Sequence, residues 1–197
     1  MLERTVAIVC AESGAWPNAF RDNLSSLGVG HVEVVANVDH FEGALDPDKI
    51  NFVFFQQAVG LQFMVKTLRI LRMFPRGDVK YSPAILMARE LVETQLRQMV
   101  ELGFDDVIQF PCTKGMLRHR MHKQLMSPVS YFITENYFGP DRRAFFEGEA
   151  GQKPRFGTRA YERRTFMRNP DHGVAIMDIH KYVPDEAKQD GSDQIEI

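Results

Sequence analysis

The most constraining feature of this chain is an alternation. Across its first 126 residues, short apolar runs alternate with longer amphipathic segments. Residues 5–9 (Thr-Val-Ala-Ile-Val) are apolar and β-rich, as a strand covered on both faces must be. Trp16, Phe20, Leu24 and Leu27 then recur at helical spacing, with Pro17 near the start and Gly28 at the stop. Residues 31–35 read as a second strand and 38–45 as a short helix. Phe52-Val53-Phe54-Phe55 is the most strand-like run of all. Leu61, Met64, Val65, Leu68 and Leu71 or Arg72 mark one face of a helix that Pro75 ends. Residues 84–87 form a fourth strand. Leu91, Val92, Leu96, Met99 and Val100 form a helical stripe stopped by Gly103. Residues 107–110 form a fifth strand, and a last helix carries Leu117, Met121 and Leu125.

Strands that alternate with helices imply a parallel sheet covered on both faces. Right-handed crossovers leave few topologies. The expected fold is α/β: a (βα)5 doubly wound parallel sheet in strand order 2-1-3-4-5. In such a sheet ligands sit beyond the carboxyl ends of the strands, by the switch point between the first and third. The loops to inspect are therefore 10–15, 56–60, 88–90 and 110–113. Beyond Pro128 the pattern changes. Residues 129–172 are rich in Gly, Pro, Arg and aromatics with no steady period, and 174–183 suit one strand. Residues 184–197 are acidic and polar, the composition of a disordered tail. The expected organisation is one domain over residues 1–127, an extended strap over 128–183, and the tail.

Bulk properties exclude several classes. The formal charge of −2 gives no global pull toward nucleic acid or anionic lipid. The two cysteines, Cys10 and Cys112, offer neither a disulfide framework nor metal-ligand spacing, and point to a reducing compartment. The amino terminus does not read as a signal peptide, and no stretch approaches the roughly 18 apolar residues of a spanning helix. A soluble cytoplasmic protein is expected.

Residues 83–88 (Pro-Ala-Ile-Leu-Met-Ala), followed by residues 96–111 with Gly103, Asp105, Asp106, Ile108 and Pro111 in place, resemble the second half of bacterial response-regulator receiver domains. The resemblance covers about residues 4–126 and implies a role in two-component signal transduction. It also implies five chemical positions: an acidic pair after the first strand for Mg²⁺, a phosphoacceptor Asp ending the third, a Thr or Ser after the fourth, and a Lys after the fifth. Those groups would surround an in-line phosphoryl transfer. In this chain the acidic pair falls on Cys10 and Ala11, with Glu12 the nearest acid. The phosphoacceptor falls on Gln56, with Gln57 beside it. The Thr or Ser falls on Ala88 and the Lys on Phe110. A carboxamide is a poor nucleophile and a poor Mg²⁺ anchor. The expectation is a pseudo-receiver that accepts no phosphoryl group, needs no cofactor, binds no metal, and presents the face around its fourth and fifth helices to a partner.

Plainer readings stand beside the sharper ones. Phe110 reads either as an ordinary core aromatic or as a ring filling the vacated pocket. Cys10 and Cys112 both end strands, so a redox pair is open, with free thiols the plainer reading. His119 and His122 share a helix face with Arg118, Arg120 and Lys123, which reads as a solvated basic face rather than a metal site. Met64, Met73, Met87, Met99, Met116 and Met121 read as core, or else as an adaptable docking surface.

In the extension, Phe138–Phe145 and Phe156–Phe166 form an imperfect duplication: Phe-Gly, then an acid, two arginines, a small residue and Phe. It marks Arg142, Arg143, Phe145, Arg163, Arg164 and Phe166 as candidate partner-binding residues. Arginines interleaved with aromatics suit a protein interface or stacked bases and phosphates. A strap folded back on its own domain is the third reading. An acid beside each Arg pair disfavours phosphate. No nucleophile–base pair, glycine-rich phosphate loop or metal triad appears, so an enzyme is not expected. A signalling adaptor that binds a protein partner is the leading reading. A nucleic-acid-binding regulator is the alternative, and a homodimer through the fourth and fifth helices is a further expectation.

Overall fold

A computed structural model describes residues 1–76, 78–141 and 160–184. Strands and helices alternate through β1 (Thr5–Cys10), α1 (Ala15–Ser26), β2 (His31–Val35), α2 (Val38–Ala44), β3 (Ile50–Gln56), α3 (Leu61–Arg72), β4 (Ala84–Ala88), α4 (Glu93–Leu102), β5 (Asp106–Gln109) and α5 (Lys114–Met126). The five strands are parallel, in the order β2-β1-β3-β4-β5. This is the architecture expected from the alternation.

Strand geometry splits each apolar run between two cores, because successive side chains point to opposite faces. Val6, Ile8, Cys10, Val53, Phe55, Leu86 and Ala88 face one side, where α2, α3 and α4 supply Phe41, Met64, Leu68, Leu71 and Met99. Ala7, Val9, Phe52, Phe54, Ile85 and Met87 face the other, against Phe20 and Leu24 of α1 and Leu117, Met121 and Leu125 of α5. Each fully buried Phe adds about 1.5–3 kcal/mol, and Phe52, Phe54 and Phe55 are adjacent enough to key the whole sheet. Local signals set the helix ends. The Asn37 side chain accepts from the Asp39 N–H at 3.0 Å to open α2. Thr113 accepts from the Met116 N–H at 3.1 Å to open α5. Gly103, at φ 99°, stops α4 in a left-handed turn.

Two helical stripes are narrower than the sequence suggests. Leu61 and Val65 of α3 are exposed, and its buried face runs through Met64, Thr67, Leu68, Leu71 and Arg72. Val92, just before α4, is exposed too. Of the methionines expected in the core, Met64, Met87, Met99 and Met121 are buried, but Met73 and Met116 are exposed.

The extension differs most from expectation. Where it is described it is a second sheet and not a strap. β6 (Val129–Thr134), β7 (Tyr137–Pro140), β8 (Tyr161–Asn169) and β9 (Gly173–Tyr182) pair antiparallel in the order β7-β6-β8-β9. The strand expected over 174–183 is β9. The other strands escaped notice because their inward positions are not consistently apolar: the two fully buried side chains of β8 are Phe166 and Arg168.

Arg168 joins the two sheets. Its Nε donates to the Tyr81 carbonyl at 2.6 Å. Its Nη1 donates to Gln124 Oε1 at 2.8 Å. Its Nη2 donates to Asp105 Oδ1 at 2.6 Å and to the Tyr131 hydroxyl at 2.8 Å. Asp105 also accepts from Tyr131 at 2.6 Å, from Arg72 at 2.7 Å and from the Ala84 N–H at 2.8 Å. Burial alone would raise the Asp105 pKa, but the guanidinium groups of Arg168 and Arg72 together with its hydrogen bonds outweigh it and hold the carboxyl below the usual carboxylate range. Burial pushes the Tyr131 phenol upward, so it stays a neutral donor. Around this node Phe166 packs on Tyr81 and Tyr131, with ring centroids 4.7 and 4.8 Å away. Further out, Asp78 accepts from the Val174 N–H at 2.7 Å, and Arg4 pairs with Asp171 at 2.8 Å. Gly173, at φ 79°, is required there, since a Cβ would stand 2.5 Å from the Asp78 carboxylate. Tyr81, Asp105 and Arg4 all precede parallel strands, so the second sheet is anchored at the amino ends of β1, β4 and β5.

Candidate functional site

The carboxyl ends of the parallel strands lie at the other end of the molecule. Register sets Cys10 beside Phe55, Gln56 beside Met87, and Ala88 beside Gln109. A cleft of about 330 Å³ opens there, lined by Trp16, Gln56, Gln57, Ala58, Met87, Arg89 and Phe110. Of the positions singled out from sequence, Gln56 and Phe110 line it. Cys10, Ala11 and Ala88 are buried in the two cores below, and Glu12 is exposed outside the lining.

The cleft is walled by aromatics and amides. Trp16 stacks on Phe20 at 4.9 Å and meets Phe110 edge to face at 5.6 Å. Phe110 is half-buried, so both readings of it hold in part: it packs on the α1/α5 core and also walls the cleft. Gln56 Oε1 is buried with no hydrogen-bond partner among the described residues. Gln57 clamps the loop after β4. Its Oε1 accepts from the Arg89 N–H at 3.2 Å, and its Nε2 donates to the Glu90 carbonyl at 3.3 Å. Gln109 donates to the Arg89 carbonyl at 3.3 Å from the far side. Among the described residues Arg89 is the one charged residue in the lining, and no carboxylate lines it.

Cys10 and Cys112 do not form a pair. Cys10 belongs to the core under α2–α4 and Cys112 packs against the core under α1 and α5, so the sheet separates them. Burial raises the Cys10 thiol far above its ordinary range, which leaves it a poor nucleophile and a poor metal ligand. His119 is exposed and His122 half-buried on α5. No group of three or more His, Cys, Asp or Glu among the described residues is placed to hold a metal ion.

The partner-binding set is redistributed. Arg142, Arg143 and Phe145 lie outside the described residues, as do residues 156–159 of the duplicated motif's second unit. Phe166 is fully buried. Arg164 donates to the Tyr81 hydroxyl at 2.6 Å and pairs with Glu162. Both are engaged in the chain's own packing. Arg163 is half-exposed and pairs with Asp178 at 3.5 Å. The residues that sequence reasoning missed are those of the node: Tyr81, Gln124, Tyr131 and Arg168. Asp105 was visible only as a motif match, and Arg72 only as a doubtful member of a helical face.

No family model matches this chain, and no curated protein matches it. Solved structures do. A Burkholderia pseudomallei K96243 protein described as pilus assembly-related is 14% identical over 62% of this chain and 90% of its own, with a TM-score of 0.51. That likeness is one of fold. The receiver domain of the sensor histidine kinase PA1611 from Pseudomonas aeruginosa PAO1, which carries a magnesium ion in its active-site cleft, is 13% identical over 60% of this chain and 94% of its own, with a TM-score of 0.48. A response-regulator receiver domain from Bermanella marisrubri is 17% identical over 61% and 96%, with a TM-score of 0.47. No helix among the described residues is long and apolar enough to cross a membrane.

Proposed function

We propose that this chain is a pseudo-receiver: a non-catalytic adaptor of cytoplasmic signal transduction that binds a protein partner without being phosphorylated. The observation that carries the reading is the make-up of the cleft. A receiver site needs a carboxylate nucleophile, a carboxylate-held divalent ion and a cation. Here the tip of β3 puts Gln56 in the cleft and the residue after β5 puts Phe110 there against Trp16, while the end of β1 carries Cys10 and Ala11, both buried beneath it. Glu12 alone cannot hold the ion. The clamp on the loop after β4 supports the second half of the reading. Gln57 and Gln109 hold Arg89 and Glu90 through hydrogen bonds from and to their side-chain amides, so that loop is set without a phosphoryl group to bond.

The test is incubation with Mg²⁺ and acetyl phosphate followed by intact mass. No phosphoryl mass is expected. Trp16 is the single tryptophan and lines the cleft, so its fluorescence reports the same site. Beryllofluoride with Mg²⁺ is expected to leave it unchanged. A stable phosphoryl adduct, or a saturable Trp16 response, would return the chain to phosphorylated switches. The alternative of nucleic-acid binding draws no support from the described extension, where Phe166 is fully buried and Arg164 and Arg168 are engaged within the chain.

A further inference from the structure

The two edges of the second sheet are unequal. β7 spans four residues and β9 spans ten, and among the described strands β9 pairs only with β8. A long edge strand offers a row of backbone donors and acceptors to another strand. It is also where exposed apolar side chains gather. Ile176 (42% exposed), Met177 (59%), Ile179 (51%), Tyr182 (36%) and Val183 (47%) fall within one eight-residue stretch. Apolar residues scattered singly need no explanation, but a group gathered along one edge strand draws attention to that edge, even though alternation puts Ile179 and Tyr182 on its opposite faces.

The polar side chains on β9 select the occupant. Asp178 and His180 flank Ile179. In an antiparallel pair, facing residues share one side of the sheet. When β9 meets itself about a twofold axis at Ile179, Ile179 faces its own copy, and Asp178 faces His180 of the second copy on both sides of the axis. Moving the axis to His180 would set imidazole against imidazole and Ile179 against Lys181. The β-bulge at Met177 lies on the far side of Asp178 and shifts the register there, with pairing to β8 resuming at Ile176.

We infer that β9 is a self-association edge: two copies of this chain pair antiparallel through β9, centred on Ile179, to make one continuous eight-stranded sheet. This goes beyond the adaptor reading, and it stands or falls separately from phosphorylation. It places the contact on the free edge of the second sheet, which is anchored at the amino ends of the parallel strands and not at the cleft.

The experiment is light scattering on the full chain over a concentration series. A concentration-dependent dimer is expected. Ile179→Lys sets two ammonium groups at the axis and is expected to give a monomer, with a thermal melt like the parent's because the side chain is half in solvent. His180→Asp sets carboxylates opposite each other twice and is expected to weaken the dimer about tenfold. In a Cys112→Ser background, Ile179→Cys is expected to form a self-disulfide under mild oxidation faster than Leu61→Cys on α3. A monomer at every concentration, a dimer untouched by Ile179→Lys, or equal cross-linking at residues 179 and 61 would each overturn the inference.

Discussion

Arg168→Met is the sharpest test of how the two sheets depend on each other. The substitution removes five hydrogen bonds, to the Tyr81 and Gln124 carbonyls, Gln124 Oε1, Asp105 and Tyr131. Methionine roughly matches the aliphatic stem, so the loss is mostly polar. The two carbonyls and the amide oxygen stay buried, and each unsatisfied acceptor costs about 1–3 kcal/mol. Asp105 keeps Arg72, the Ala84 N–H and Tyr131, so its charge is not stranded. Relief from desolvating the guanidinium offsets part of the loss. The net expectation is about 3–5 kcal/mol, the usual scale for breaking a buried ion pair, against a typical total of 5–15 kcal/mol. Urea unfolding followed by Trp16 fluorescence reads this from the opposite end of the parallel sheet. With a slope of roughly 2 kcal/mol per molar, the midpoint should fall by about 2 M. Arg163→Met breaks a half-exposed pair and should cost under about 1 kcal/mol. If Arg168→Met moves the midpoint no further than Arg163→Met, the node does not hold the sheets together. If circular dichroism reports early strand loss while the Trp16 transition stays put, the two sheets unfold independently.

Other outcomes follow from the same geometry. Asp105 has a lowered folded pKa, so its contribution is present above its unfolded value near about 4 and is lost as pH falls through the folded one. Asp105→Asn should therefore flatten the acid side of the stability curve, measured by urea midpoints across acidic pH, and a curve with unchanged slope would count against the node. Asp106 behaves in the opposite sense: burial, partly countered by Arg120, raises its pKa. Its contribution is present below the unfolded value and is lost as pH rises through the folded one. Asp106→Asn keeps an oxygen for the Val107 N–H and should be neutral to stabilising at pH 7 by thermal melt. Gln57→Ala should raise hydrogen exchange at the Arg89 amide roughly tenfold, the worth of about one hydrogen bond, while core amides of β3 hold their rates.

What was legible in the sequence is what depends on near neighbours. Period-two runs and helical stripes report the local division between core and solvent, and five of each in alternation leave one common sheet order. Gly28 and Gly103 mark helix ends through bonds made within a few residues. Part of the cleft lining was readable too, because Gln56 and Phe110 stand at the ends of strands that the sequence already locates, whereas Trp16, Ala58 and Arg89 come from α1 and the loops. Helix faces were overdrawn where, as with Leu61 and Val65, an apolar side chain points to solvent. The second sheet was not legible. β8 turns an arginine inward, and the carboxylate that receives it lies 63 residues earlier in the chain. No window of sequence contains both partners, so Arg168 looks like surface charge until the fold brings Asp105 to it. Residue types within reach of each other along the chain determined the parallel sheet and the strand ends that border its cleft. Only the tertiary structure decided that the extension is a second sheet locked to the first, because a buried charge is tolerable only when distant partners arrive together.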